Sequence, residues 1–124
     1  MALLVGGALT GAQAAEMLGV APATVRDRKR DGRLYALPAP GGSNRFPRWQ
    51  FVENGPHASV LPHLADVLEA LPVDMHPLEI QEFFTQPRSW LTIDGDRLSA
   101  VNWLAAGGDV QAVLRDAESV GVLA

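Results

Sequence analysis

The side chains best suited to binding chemistry are the cations of residues 26–30, where four of five positions are basic. Lys and Arg that contact phosphates release condensed counterions, so a dense basic run favours binding to a polyanion such as nucleic acid. A solvated helix face is the alternative interpretation, and the neighbouring Asp27 and Asp31 favour it. The cations of the run are Arg26, Arg28, Lys29 and Arg30.

Charge is divided along the 124 residues. Residues 1–52 carry seven basic and three acidic side chains, a net of +4, whereas residues 53–124 carry three basic and eleven acidic ones, a net of −8. The overall charge of −4 conceals this division. A basic half suits a polyanion, and an acidic half rich in apolar residues suits docking or assembly. We therefore expect two domains, residues 1–53 and 54–124, with the boundary at Asn54-Gly55-Pro56.

Residues that commonly carry catalysis or bind metals form no recognisable motif. His57, His63 and His76 lack metal-ligand spacing, and the sequence has no cysteine. The paired glycines do not form a phosphate-binding pattern. The sequence thus predicts a protein that is not an enzyme and uses neither a cofactor nor a metal. The apolar start lacks a basic segment and is too short to span a bilayer, so we expect a cytoplasmic protein without a membrane anchor.

The basic run is expected on the second helix of a helix-turn-helix. Thr10 and Gln13 have the spacing of a capping box, and Gly19 is placed to end the first helix. Pro22 suits the first turn of the second helix, and Gly32 is placed to end it. Residues 34–37 and 45–48 are predicted to form a short β-hairpin, or wing, with Trp49 and Phe51 packed beneath it. We predict that these elements bind DNA through Thr24, Arg26, Arg28, Lys29, Arg30, Arg33, Asn44, Arg45 and Arg48.

The run LTGAQAAEMLGVAPATVRDRKRDGRLYAL resembles the helix-turn-helix of MerR-like and excisionase-like DNA-binding proteins. The similarity rests on the Ala14-Ala15 pair, on Leu18-Gly19-Val20, on Thr24-Val25, and on Gly32 with Leu34. It covers residues 9–37. This resemblance implies a winged helix-turn-helix that binds operator DNA.

The acidic half is predicted to contain four short helices. Apolar residues recur at helical spacing from Val60 to Leu71, and a second apolar segment follows Pro77. Trp90-Leu91 is expected in an irregular stretch before a turn at residues 94–96. A third helix is expected from Ser99, and Asp109 is placed to cap a fourth. The fold class is therefore mainly α: an N-terminal winged helix-turn-helix with a short β-hairpin, then a small helical domain.

The segment SWLTIDGDRLSAVNWLAAGGDVQAVLRDA resembles the C-terminal domain of antitoxins in the Xre/MbcA/ParS group. The resemblance implies binding to a RES-domain toxin that degrades NAD, and repression of the shared operon by the N-terminal domain. The C-terminal tail has two open interpretations: fraying, or insertion into a partner. Trp90 and Trp103 also have an alternative interpretation, in which each is a core residue. The residues expected to bind the partner are Trp90, Trp103, Leu104, Val113, Leu123 and Ala124.

The combined prediction is an antitoxin that neutralises a RES-domain toxin and represses its own operon. Its expected partners are operator DNA and the cognate toxin, in a homodimer or a larger hetero-oligomer. Two alternatives stay open. One is a stand-alone MerR-like or excisionase-like regulator whose acidic half only dimerises, and the other is an adaptor whose helix-turn-helix binds protein.

Overall fold

The computed structural model describes residues 8–38, 41 and 43–123. The chain forms two compact units that divide between Val60 and Leu61. About half of the chain is helical, and the rest includes several short antiparallel strand pairs, so the fold is mixed α/β rather than mainly α. No helix within the described residues is long and apolar enough to cross a membrane.

The N-terminal unit begins with the predicted helix pair. The capping box is confirmed, because Gln13 N donates to Thr10 Oγ1 at 3.1 Å and Thr10 N donates to Gln13 Oε1 at 2.9 Å. Gly19, with a φ of 70°, ends the first helix in the left-handed region. The second helix has Pro22 in its first turn, as expected. The two helices are α1, Gly11–Leu18, and α2, Pro22–Arg30.

The wing is confirmed, although its strands are shorter than expected. The strands β2 and β3 pair antiparallel, with Leu37 opposite Arg45. A further strand, β1, pairs with the other side of β3, so the sheet order is β1-β3-β2. Pro47 follows β3 directly, where its missing N–H removes no ladder bond. The strands are β1, Leu9–Thr10; β2, Leu37–Pro38; and β3, Asn44–Phe46.

A second hairpin completes the N-terminal unit, and the sequence did not predict it. A 3-10 turn at Arg48–Gln50 leads into β4, Phe51–Asn54, which pairs with β5, His57–Val60. The expected boundary after residue 53 falls inside this hairpin, so the N-terminal unit extends to Val60. Phe51 lies in the core as expected. The Trp49 ring packs against the Tyr35 ring, with 5.9 Å between the ring centroids. The buried core consists of Leu9, Ala14, Ala15, Leu18, Val25, Leu34, Phe46 and Phe51.

The C-terminal unit has the four expected helices and one hairpin that was not expected. Ser99 Oγ accepts from Asn102 N at 3.1 Å and Asp109 Oδ1 accepts from Gln111 N at 3.0 Å, which confirms the last two helix starts. The stretch around Trp90, predicted to be irregular, is instead a strand that turns at Asp94-Gly95, both with positive φ. The elements are α3, Leu64–Ala70; α4, Pro77–Thr85; β6, Arg88–Ile93; β7, Asp96–Leu98; α5, Ala100–Ala105; and α6, Val110–Leu123.

A largely buried ion pair joins β6 to α6. Arg88 Nε lies 3.4 Å from Asp116 Oδ2, and the side chain of Asp116 is only 5% exposed. Arg88 Nη2 also donates to the carbonyl of Phe83 at 3.2 Å, and the guanidinium lies 4.5 Å from the centre of the Phe83 ring. Arg88 therefore compensates the charge of Asp116 and is itself held in place by its contacts with Phe83.

Replacing Arg88 with Met should destabilise the protein strongly, because Asp116 would stay buried without its countercharge. We expect the free energy of unfolding to fall by roughly 3–5 kcal/mol, measured by urea denaturation. The double variant Arg88→Met/Asp116→Leu should recover most of the loss, because it removes both charges. A loss in Arg88→Met no larger than that in Arg97→Met, at an exposed position, would contradict this role of the pair.

Candidate nucleic-acid interface

The orientation of α2 is set by the burial of Val25, whose side chain is 1% exposed in the core. Each residue of an α-helix turns by about 100° relative to the one before it. Arg26 and Lys29 are therefore about 60° apart around the axis, whereas Arg28 lies about 160° from Arg26. The basic run thus divides between two sides of the helix, and only one of them faces the wing.

A groove of about 620 Å³ lies between α2, the start of α1 and the wing. From α2 it is lined by Arg26, Lys29 and Arg30, and from the wing by Arg45. All four charged residues that line the groove are basic. The other lining residues are Thr10, Gly11, Ala12, Pro22, Val25, Ser43, Asn44 and Phe46.

The cations of the groove differ in how far their charge is compensated. Arg30 pairs with Asp27 at 2.9 Å and lies 3.9 Å from Asp31, with all three side chains well exposed. Exposed pairs of this kind contribute little to stability and are readily exchanged. Arg26, Lys29 and Arg45 form no ion pair with any residue that the structure describes. These three side chains therefore leave a positive field in the groove.

The wing holds Arg45 in a defined position. Arg45 Nη1 donates to Ser43 Oγ at 3.0 Å and to the carbonyl of Asn44 at 3.1 Å. Asn44 pairs across the hairpin with Pro38. The guanidinium is thus oriented by its own strand and retains further N–H groups for an anion.

The base of the wing is closed by the buried amide of Gln50, which is 0% exposed. Gln50 Oε1 accepts from Tyr35 N at 2.8 Å, while Nε2 donates to the carbonyls of Tyr35 at 2.7 Å and Pro47 at 3.1 Å. These bonds join the residues that enter and leave the wing. Desolvation in this region raises the pKa of the Tyr35 phenol above its ordinary value of 10.0.

Four of the nine residues predicted to bind DNA do not line the groove. Thr24 and Arg28 are half-buried elsewhere, and Arg33 and Arg48 are exposed outside it. The other five, Arg26, Lys29, Arg30, Asn44 and Arg45, line the groove together. Ser43 and the first turn of α1 also line the groove and were not predicted, although the capping box at Thr10 was a signal for the position of that turn.

Those predicted partner-binding residues whose side chains the structure describes do not share one surface. Leu104 and Val113 are 1% and 0% exposed, so both belong to the core of the C-terminal unit and are corrected to structural residues. Trp103 is half-buried, donates from Nε1 to the carbonyl of Asp109 at 2.9 Å, and packs on Gly108. Only Trp90, 61% exposed, offers an apolar surface. The side chain of Leu123, and Ala124 as a whole, lie outside the described residues.

Across the described part of the chain, no three His, Asp or Glu side chains lie close enough together to hold a metal ion. His63 lies 3.6 Å from Asp66 in a surface pair. His76 Nδ1 accepts from Leu78 N at 3.0 Å and so caps α4. His63 and His76 therefore both have local structural roles.

The chain is a mixed α/β protein of two units, and the N-terminal unit places a helix pair beside a β-hairpin. The chain is similar to a solved structure, the NMR structure of the mycobacterial protein Rv2175c. The two are 26% identical with a TM-score of 0.63, over 91% of this chain and 80% of that chain. No protein-family model and no curated protein matches the sequence. The antitoxin resemblance of the C-terminal half is not supported by these comparisons.

Replacing Gln50 with Leu should destabilise the N-terminal unit, because polar backbone groups of Tyr35 and Pro47 would lose their partner. We expect the free energy of unfolding to fall by roughly 2–4 kcal/mol, measured by urea denaturation. Gln13→Ala is the control, because Gln13 is exposed and its loss should cost only about 1 kcal/mol. Equal losses in the two variants would show that the buried amide is not needed to hold the wing.

Proposed function

We propose that the chain is a DNA-binding transcriptional regulator that acts by binding rather than by catalysis. The observation that carries this proposal is the groove between α2 and the wing, in which every charged lining residue is basic. The B-DNA major groove is wide enough to admit an α-helix, so α2 is the element expected to enter it. The similarity to Rv2175c supports this proposal, because Rv2175c is a DNA-binding protein and the similarity covers 91% of this chain.

The expected contacts follow from the two sides of the groove. Arg26 and Lys29 lie on the side of α2 that faces the wing and have no countercharge among the described residues. They would contact bases or phosphates when α2 lies in the major groove. Arg45 and Asn44 would contact the adjacent backbone or minor groove from the wing. Arg30 would exchange its exposed pair with Asp27 for a phosphate.

Lys29→Ala and Arg26→Ala should each weaken binding to a short mixed-sequence duplex by about five- to tenfold, measured by fluorescence anisotropy at low salt. Each should also lower the slope of log affinity against log salt by about 0.9 for every phosphate that the variant no longer neutralises. Arg97→Ala is the matched control, because it removes the same charge from an exposed site in the C-terminal unit.

The adjacent Arg28 provides a second comparison. Because it lies on the other side of α2, Arg28→Ala should weaken DNA binding less than Lys29→Ala does. Equal weakening in the Lys29, Arg28 and Arg97 variants would indicate a nonspecific effect of net charge and contradict the assigned groove. Absence of any salt-sensitive binding by the unmodified protein would instead favour the protein-binding adaptor.

The narrower hypothesis is an antitoxin that represses its own operon and neutralises a RES-domain toxin. It rests on the sequence resemblance alone. Burial of Leu104 and Val113 removes two of the residues expected to contact the toxin. Trp90 keeps an exposed side chain that suits such a contact. Toxin neutralisation therefore stays a prediction, which co-purification with a RES-domain protein would test.

A further inference from the structure

The most exposed aromatic side chain in the described residues is Trp90, which lies on β6 where the pairing with β7 is irregular. The hairpin ladder pairs Arg88 with Leu98 and Thr92 with Arg97. Two consecutive residues of β7 therefore face two residues of β6 that are four positions apart, so residues 89–91 lie between them without a partner in the ladder. Within this irregular segment Leu91 is completely buried and Trp90 is 61% exposed. Irregular strand pairings redirect side chains and often lie beside functional sites.

Trp90 does not stand alone on this surface. It lines a groove of about 290 Å³ together with one side of α6. Ala112 and Ser119 are small and allow close approach, and Arg115 lies exposed between them. Beneath the groove, the Arg88–Asp116 ion pair fixes β6 against α6. The apolar side chain and the helix surface are thus held as one unit.

The charges on α6 have the pattern that a two-fold symmetric pair of helices requires. Arg115 and Glu118 are both exposed, and neither forms an ion pair with any other described residue. They are separated by three positions and so lie on one side of the helix. In an antiparallel pair centred between residues 116 and 117, each Arg115 faces the partner's Glu118. An isologous interface requires this self-complementarity, because each contact occurs twice.

We propose that the surface formed by Trp90 and α6 is the dimerisation surface of this protein and that its occupant is a second copy of the chain. At 14 residues, α6 is about 21 Å long and provides several turns for the contact. Trp90 of each copy packs against α6 of the other. Aromatic side chains that fill a pocket in this way contribute most of the binding energy of an interface. The proposal concerns self-association without DNA and does not depend on the function proposed for the N-terminal unit.

The full-length chain should form a concentration-dependent dimer in sedimentation equilibrium without DNA. Arg115→Glu and Glu118→Arg should each raise the dissociation constant by about 100-fold or more, because symmetry places two like-charge contacts in each variant dimer. The double variant Arg115→Glu/Glu118→Arg should dimerise again, because the swapped charges still face opposite charges. Trp90→Ala should weaken the dimer roughly 30-fold.

Glu82→Arg is the control, because it reverses an exposed charge on α4, away from this surface. Far-ultraviolet circular dichroism of every variant separates loss of the dimer from loss of the fold, and recovery in the double variant excludes misfolding as the cause. A monomer at all concentrations would overturn the proposal. A dimer unaffected by Trp90→Ala and Arg115→Glu, or one that the double variant fails to restore, would overturn it equally.

Discussion

The constraint on which the wing depends most is one buried amide that holds its two ends together, beside the pairing of β1 with β3. Gln50 lies without solvent contact beneath the hairpin and bonds to the backbone of Tyr35 on one side and Pro47 on the other. An apolar residue of similar size would fill the same volume but would leave those backbone groups without partners. Arg45 is carried by the strand that this amide anchors. Gln50 and the pairing of Thr10 with Arg45 together hold this strand beside the helix pair.

The division of charge corresponds to a division of work between the two units. The N-terminal unit gathers uncompensated cations in one groove, whereas the three cations of the C-terminal unit do not share one surface groove. Arg88 neutralises a buried carboxylate, and Arg115 lies exposed beside Trp90. The net charge of the whole chain says little about its partners for this reason. What matters is which cations lack a countercharge and which surface they share.

Features encoded by a few neighbouring residues could be predicted from the sequence. The capping box at Thr10, the proline at the start of α2 and the caps at Ser99 and Asp109 all act within four residues, and the structure contains each of them. The pairing of β1 with β3 joins residues that are distant in sequence and was missed. The hairpin of β4 and β5 is local, but Asn54-Gly55-Pro56 at its turn was interpreted as a domain boundary. Within the site, composition marked the basic run, but only the burial of Val25 determines that Lys29 and not Arg28 faces the wing. Leu104 and Val113 were assigned to a partner through the resemblance to the antitoxin domain, and a resemblance of this kind does not show which matching residues are buried.

The most direct test of the DNA-binding groove is a titration of the full-length chain with a short DNA duplex, followed by the backbone amide NMR spectrum. The largest shift changes are expected at Arg26 and Lys29 on α2, at Ser43 to Arg45 on the wing, and at Gly11 and Ala12 where α1 begins. These changes should diminish together as salt is added, because binding to phosphates weakens with rising ionic strength. Changes confined to residues 61–123, or an unchanged spectrum at low salt, would contradict DNA binding by this groove.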